Sequence, residues 1–478
     1  MIFNSFEFLL FFVAFFVLYW FVTNKNLKIQ NLLILLAGYI FYSWSDWRFL
    51  TYLIGISALN FYLGIYIEKT SKPTIKRLLL YVGLVQGIGG LAFFKYFNFF
   101  IDSFKDAFHL MGVSLNLHTL NLIVPLGISF FTFRTISYLL DINKGKISPC
   151  RNWVVFFCYV SFFPSLLSGP IDRAKNLVPQ LERKREFNYF QATSGLRQIL
   201  WGLFKKIAIA DNCASVTNQV FDNYLSYSAS SLLVSACIFT IQIYADFSGY
   251  SDMAIGIARL MGFKIAKNFD FPLFAQNIAE FWRKWHMSLT SWMTDYVFTP
   301  LSIALRDLGK LGLVLAIVLN FTLIGIWHGA NWTYLLFGFL HGIYFIPLIL
   351  RGTMSRKYKI VEHKVLPSLS ASINMLGTFM LVTLTFIIFK SENISAAFNY
   401  YSRLFSLSLF TIPDVQDAHF LLLAAFLIVE WLGKSGEYAM EKFTAGWNKP
   451  FRWAFYLTVV FMIFMYQGKP VPFIYFKF

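Results

Sequence analysis

The sequence predicts an all-α integral membrane protein with roughly eleven membrane crossings. Of its 478 residues, 57% are hydrophobic and only 14% are charged; a soluble domain carries roughly 25% charged residues. The mean hydropathy is +0.59. The apolar stretches are long and continuous, whereas a transmembrane barrel would need short alternating strands.

Taken in order, runs long enough or nearly long enough to span cover 5–23, 29–45, 48–67, 77–100, 122–140, 153–170, 194–210, 230–248, 311–328, 331–350, 372–389, 418–433 and 451–467. The pieces at 251–262 and 270–305 are not clean spans. The N-terminus lacks a basic region and a small-residue cleavage site, so it reads as an uncleaved first span. No internal repeat is visible. Residues 1–468 read as one membrane domain, followed by an extended tail over 469–478.

The net charge of +17 sits between apolar runs. A nucleic-acid-binding protein would place it on a soluble module. Here it fits positive-inside loops facing anionic lipid, so a bilayer is the expected partner and nucleic acid is not. The four cysteines, Cys150, Cys158, Cys213 and Cys237, have neither CxxC nor zinc spacing, and no metal site is expected.

Basic loops also give a topology. "TNKNLK" after the first span puts the N-terminus outside. "DINKGKISPCR" and "PIDRAKNLVPQLERKREF" both read as cytoplasmic, yet a single apolar run separates them. One span cannot join two loops on the same side. That run holds Pro164 in "SFFPS" and ends in Gly169-Pro170, residues that break a helix or allow it to turn. Either it is a re-entrant hairpin, or an earlier span is miscounted.

Two histidines carry the candidate chemistry. On one helix from Ile278 to Trp292, at about 100° per residue, Ile278, Trp282, Trp285, His286, Leu289 and Trp292 share a face. That pattern predicts an interfacial amphipathic helix with tryptophans at headgroup depth and His286 at the edge of the apolar face. A histidine satisfied by a backbone carbonyl would look the same. His328, in "LIGIWHGANW", ends a long apolar run and is flanked by Gly325 and Gly329. No Asp, Glu, Lys or Arg lies between Lys310 and Arg351. An ionisable group at such depth is a functional candidate by default. His341 is read as structural. With no GxSxG and no phosphate-binding loop, the residues point to proton-transfer catalysis or a proton-coupled pathway.

The run from "YADFSGYSDMAIG" through "FWRKWHMSLTSW" to "LIGIWHGANWTYLLFGFLHG", with "SFFPSLLSGPIDR" upstream, resembles bacterial membrane-bound O-acyltransferases. The likeness is strongest to the alginate and peptidoglycan O-acetyltransferase membrane subunits, and it weakens after about residue 350. It implies a ring of helices, with re-entrant and interfacial pieces, around a central tunnel. His328 then corresponds to the family's invariant histidine, acting as general base, and His286 to its second polar position. Trp285, Trp327, Gly329 and Asn331 would line the tunnel. The implied donor is a cytoplasmic thioester, acetyl-CoA or another acyl thioester, used as a substrate, with no bound cofactor. The implied setting is a bacterial cytoplasmic membrane, and the implied partner an extracytoplasmic SGNH-type serine acyltransferase.

The chain ends in "PVPFIYFKF". The tail from Phe473 to Phe478 fits a Phe-x-Tyr-x-x-Phe motif found at the end of some family members or their small partners. There the tyrosine is proposed to carry the acyl group. The resemblance makes Tyr475 a third catalytic residue and Phe473 and Phe478 its anchors. An aromatic belt at the interface would explain the same residues. The expected activity is O-acetylation of a cell-envelope polysaccharide, with peptidoglycan favoured over alginate. A proton-coupled polysaccharide exporter is the rival from another class; a lipid- or protein-directed acyltransferase of the same superfamily, with the same chemistry and another acceptor, is the third reading.

Overall fold

The computed structural model describes all residues except 116, 121, 355–365, 416–418, 469, 470 and 475–478. Among the described residues every regular element is a helix. Among the described residues six helices are long and apolar enough to cross a membrane: Arg48–Lys69, Pro73–Leu110, Ala229–Leu260, Arg306–His328, Trp332–Leu350 and Leu369–Lys390. Three shorter apolar helices, Phe6–Val22, Leu27–Ser43 and Phe420–Gly433, accompany them. The chain divides into two compact units, Met1–Leu196 with Ala254–Ala266, and Arg197–Met253 with Lys267–Phe478.

In the first unit the run expected at 153–170 is broken. Trp153–Val160 is a helix of 8 residues and Phe163–Leu166 one of 4 residues. Eight residues rise only about 12 Å, against a hydrocarbon core of about 30 Å. Pro164 lies in the first turn of the second piece. The turn passes so close to the helix Leu27–Ser43 that a Cβ on Gly38 would collide with the Ser161 carbonyl. Phe163 then inserts among Phe11, Phe15 and Phe41, with ring centroids 5.3–5.8 Å apart.

Broken backbone inside a membrane protein needs polar partners, and Arg134 supplies them. It is fully buried on the helix Ile128–Asn143. One terminal nitrogen donates to the carbonyls of Tyr159 (3.2 Å) and Val160 (3.1 Å). The other donates to the Ser165 carbonyl (2.7 Å) and hydroxyl (2.6 Å). Arg134→Leu removes all four bonds at similar bulk. We expect a loss of about 3 kcal/mol or more, read as a lower unfolding temperature in detergent. Arg134→Lys keeps the charge without the fork and is expected to fall in between.

The second unit corrects one expectation. The segment from Ile278 to Trp292 is two helices, Ile278–Lys284 and Met287–Met293, not one. His286 sits at the break in the left-handed region, at φ 44°. Trp282, Trp285 and Trp292 are buried inside the protein instead of being exposed on its surface. Asn268 holds the break in place. Its carbonyl accepts the Met287 amide (2.8 Å), and its side-chain oxygen accepts the Ser288 hydroxyl (2.8 Å). The amphipathic pattern continues across both pieces, so periodicity alone concealed the break.

Candidate functional site

The site lies within the second unit. His328 is the last residue of the helix Gly309–His328 and is buried. It is held there by a close helix crossing. A Cβ on Gly325 would meet the Gly338 backbone at 3.0 Å, and one on Gly338 would collide with the Phe321 carbonyl. Small residues let the helices Gly309–His328 and Trp332–Ile343 touch backbone to backbone, as is common where helices meet in lipid. Asn331 caps the second helix by accepting the Thr333 amide at 3.0 Å, and it donates to the Glu392 carbonyl at 2.8 Å. Gly329 faces the Tyr334 ring, where a Cβ would collide.

The imidazole of His328 is enclosed by aromatic rings. Trp327 lies 5.0 Å away, Phe389 5.2 Å and Phe337 5.9 Å. His286 also packs against Trp327, at 5.6 Å, so both histidines touch the same indole. His286 also stands edge-on to Phe247 at 4.6 Å. A non-glycine residue in the left-handed region costs on the order of 1–3 kcal/mol and tends to mark function. Burial pushes the His286 imidazole down to about 3, which makes it neutral at physiological pH. A neutral imidazole offers one donor and one acceptor nitrogen. Trp285 packs on Phe281 at 5.3 Å and Phe269 at 5.1 Å. His341 accepts the Trp282 indole N–H at 3.2 Å, consistent with a structural role.

A cavity of about 500 Å³ lies beside this cluster, lined among others by Tyr334, Phe389, Lys390, Tyr400, Lys206 and Asp246. Trp285, Trp327, Gly329 and Asn331 are not in its lining. Phe389 is shared: one side faces the cavity and its ring lies against His328. The C-terminal tail forms part of the same wall through Val471, Pro472 and Ile474. Phe473 is buried, stacked on Tyr250 at 4.7 Å and near Phe247 at 5.7 Å. Tyr475 and Phe478 lie outside the described residues.

Sequence reasoning missed a set of buried charges. Lys205 and Lys206 are consecutive on a π-helical stretch, Phe204–Ala210, and both are buried. Such wide turns cluster at functional places. Lys205 pairs with Asp252 at 2.5 Å and donates to the Ser248 hydroxyl at 2.9 Å. Lys206 pairs with Asp211 and Asp246, each at 2.8 Å. Glu430, fully buried, accepts from the Trp201 indole (2.8 Å) and the Tyr244 hydroxyl. The signal was present: "LFKKIAIAD" and "YADFSGYSD" place charges inside apolar runs, where each is a functional candidate. Among the described residues no three His, Cys, Asp or Glu side chains form a metal-binding group.

Known proteins agree with this architecture. A sequence model of the membrane-bound O-acyltransferase family matches residues 151–390, which include both histidines. A probable alginate O-acetylase of Pseudomonas syringae pv. tomato is 34% identical over 424 residues, covering 87% of this chain and 78% of the relative. A peptidoglycan O-acetyltransferase of Helicobacter pylori is 33% identical over 399 residues, covering 78% and 73%. A teichoic acid D-alanyltransferase of Streptococcus thermophilus is 29% identical over 294 residues, covering 57% and 69%. The chain belongs to the membrane-bound O-acyltransferase family: it is a multi-pass membrane protein and an acyltransferase.

Proposed function

We propose that the protein takes an acetyl group from acetyl-CoA on the cytoplasmic side of a bacterial inner membrane and passes it outward for O-acetylation of a cell-envelope polysaccharide. The supporting observation is that the C-terminal tail reaches the cavity whose wall, at Phe389, backs onto His328. Tyr475 follows directly on Ile474. His328 takes the phenol proton as the Tyr475 oxygen attacks the thioester carbonyl. The C–S bond breaks, and the same proton goes to the departing thiolate. His286, neutral, orients the donor. A phenol (pKa about 10) lies closer to a thiol (about 8.5) than a sugar hydroxyl does. The acyl-tyrosine therefore keeps much of the thioester's transfer potential, following the logic of covalent catalysis. A partner serine acyltransferase of the SGNH type then accepts the group outside.

Peptidoglycan is the acceptor we favour. Alginate or another exopolysaccharide is the second reading, since relatives carry both names. Tyr475→Phe keeps the aromatic bulk and removes the nucleophile. Incubated with acetyl-CoA, the parent is expected to gain one acetyl mass and the variant none, with transfer to polysaccharide down at least about 10²-fold. Full transfer by the variant removes the carrier role. Acetyl content of wall peptidoglycan against secreted polysaccharide in a deletion strain decides the acceptor.

A further inference from the structure

The tail is held by its backbone as well as by Phe473. Lys206 donates to the Val471 carbonyl at 2.9 Å. Asp246 accepts the Ile474 amide at 2.8 Å. These groups are three residues apart, and between them Phe473 is buried against Tyr250 and Phe247. Upstream, Asn212 donates to the Tyr466 carbonyl at 2.8 Å.

We propose that Lys206 and Asp246, with the aromatic slot of Tyr250 and Phe247, form a seat for an extended peptide. The seat fixes the register of the C-terminal tail from Val471 to Ile474, whose last residue lines the cavity. Lys206 and Asp246 are thus positioning residues. Their functional sense rests on the carrier role of Tyr475, whereas the seat as a docking site does not.

The charges argue for more than structural pairing. Burying ions is costly unless each is fully paired. One lysine here serves two carboxylates, Asp211 and Asp246, and both its ammonium and an Asp246 oxygen are also committed to tail backbone groups. The tail completes the network. Because Lys206, Asp211 and Asp246 line the cavity, water can replace the tail's carbonyl and amide when it leaves. The seat can therefore release the tail without stranding a charge, which a carrier that loads on one partner and unloads on another requires. Backbone hydrogen bonds are blind to side-chain identity, so Phe473 in its slot sets the register.

The test uses the full chain carrying Lys477→Cys. The thiol introduced at position 477 is labelled with a soluble maleimide in detergent, over the background of the native cysteines. Ile474→Pro deletes the amide that Asp246 accepts, and Phe473→Ala empties the slot. Both change only the tail. Ile474→Pro is expected to raise the labelling rate about tenfold, the worth of one charge-assisted hydrogen bond, and Phe473→Ala, which loses a buried aromatic anchor, by at least as much. Ile474→Ala keeps the amide and is expected to stay within about twofold of the parent. Asp246→Asn, where it folds, is expected to match Ile474→Pro. Parent-like labelling of Ile474→Pro and Phe473→Ala overturns the seat. If those variants free the tail while Tyr475→Phe still transfers acetyl fully, the seat stands and the carrier role fails.

Discussion

His328→Ala is expected to lose about 10²–10⁴-fold in acyl transfer, the usual worth of a general base. The assay is thiol released from acetyl-CoA per unit of folded protein. The argument is one of position and surroundings. A base that removes a proton from an attacking hydroxyl and returns it to a leaving thiolate must be kept from bulk water and within reach of both. His328 is buried at a helix end, ringed by Trp327, Phe337 and Phe389, and Phe389 also forms cavity wall. His286 is a separate imidazole on another segment, packed against the same Trp327 indole. The matched control is His341→Phe. His341 is equally buried, but its Nδ1 accepts the Trp282 indole N–H. That variant should cost about 1 kcal/mol of stability and change transfer by less than about tenfold. Transfer by His328→Ala above about a tenth of the parent would remove His328 from the chemistry.

What the sequence revealed and what it hid follow from the range of the interactions. Hydropathy is local, so the helical membrane class was legible from the runs alone. The break at "SFFPS" was legible too, because Pro164 acts on its own turn. Local patterning could not reveal the break at His286. The apolar spacing continues through Trp285 and Leu289, and the partner that stabilises the kink, Asn268, stands eighteen residues upstream. His328 could be singled out because no charge surrounds it in the sequence. The lysine pair was harder. Lys205 and Lys206 resemble one more basic loop edge until their carboxylates, Asp252 and Asp246, are found about forty residues later on another helix. The tail's aromatic motif was visible, but the backbone contacts that hold it carry no sequence signature, since any residue but proline has an amide to offer.

Gly338→Ala is expected to damage both stability and activity, although it adds a single methyl group far from any charge. In the helix Trp332–Ile343 that methyl would run into the Phe321 carbonyl and come within 2.9 Å of the Gly325 Cα. Neither neighbour is a flexible side-chain tip, so the two helices must move apart. Overpacking of this kind costs about 1–3 kcal/mol. Gly325 lies one turn before His328, so the displacement passes directly to the imidazole. A misplacement of about 1 Å can cost about 10²-fold in rate. The matched control is Gly377→Ala on the helix Leu369–Lys390, where a Cβ meets nothing within 4 Å. There the added methyl should stabilise the helix by about 0.5–1 kcal/mol and leave transfer intact. Unfolding temperatures and thiol release measured on both variants separate the crossing from general helix propensity. If Gly338→Ala unfolds and transfers like Gly377→Ala, the close contact of these two helices does not hold His328 in position.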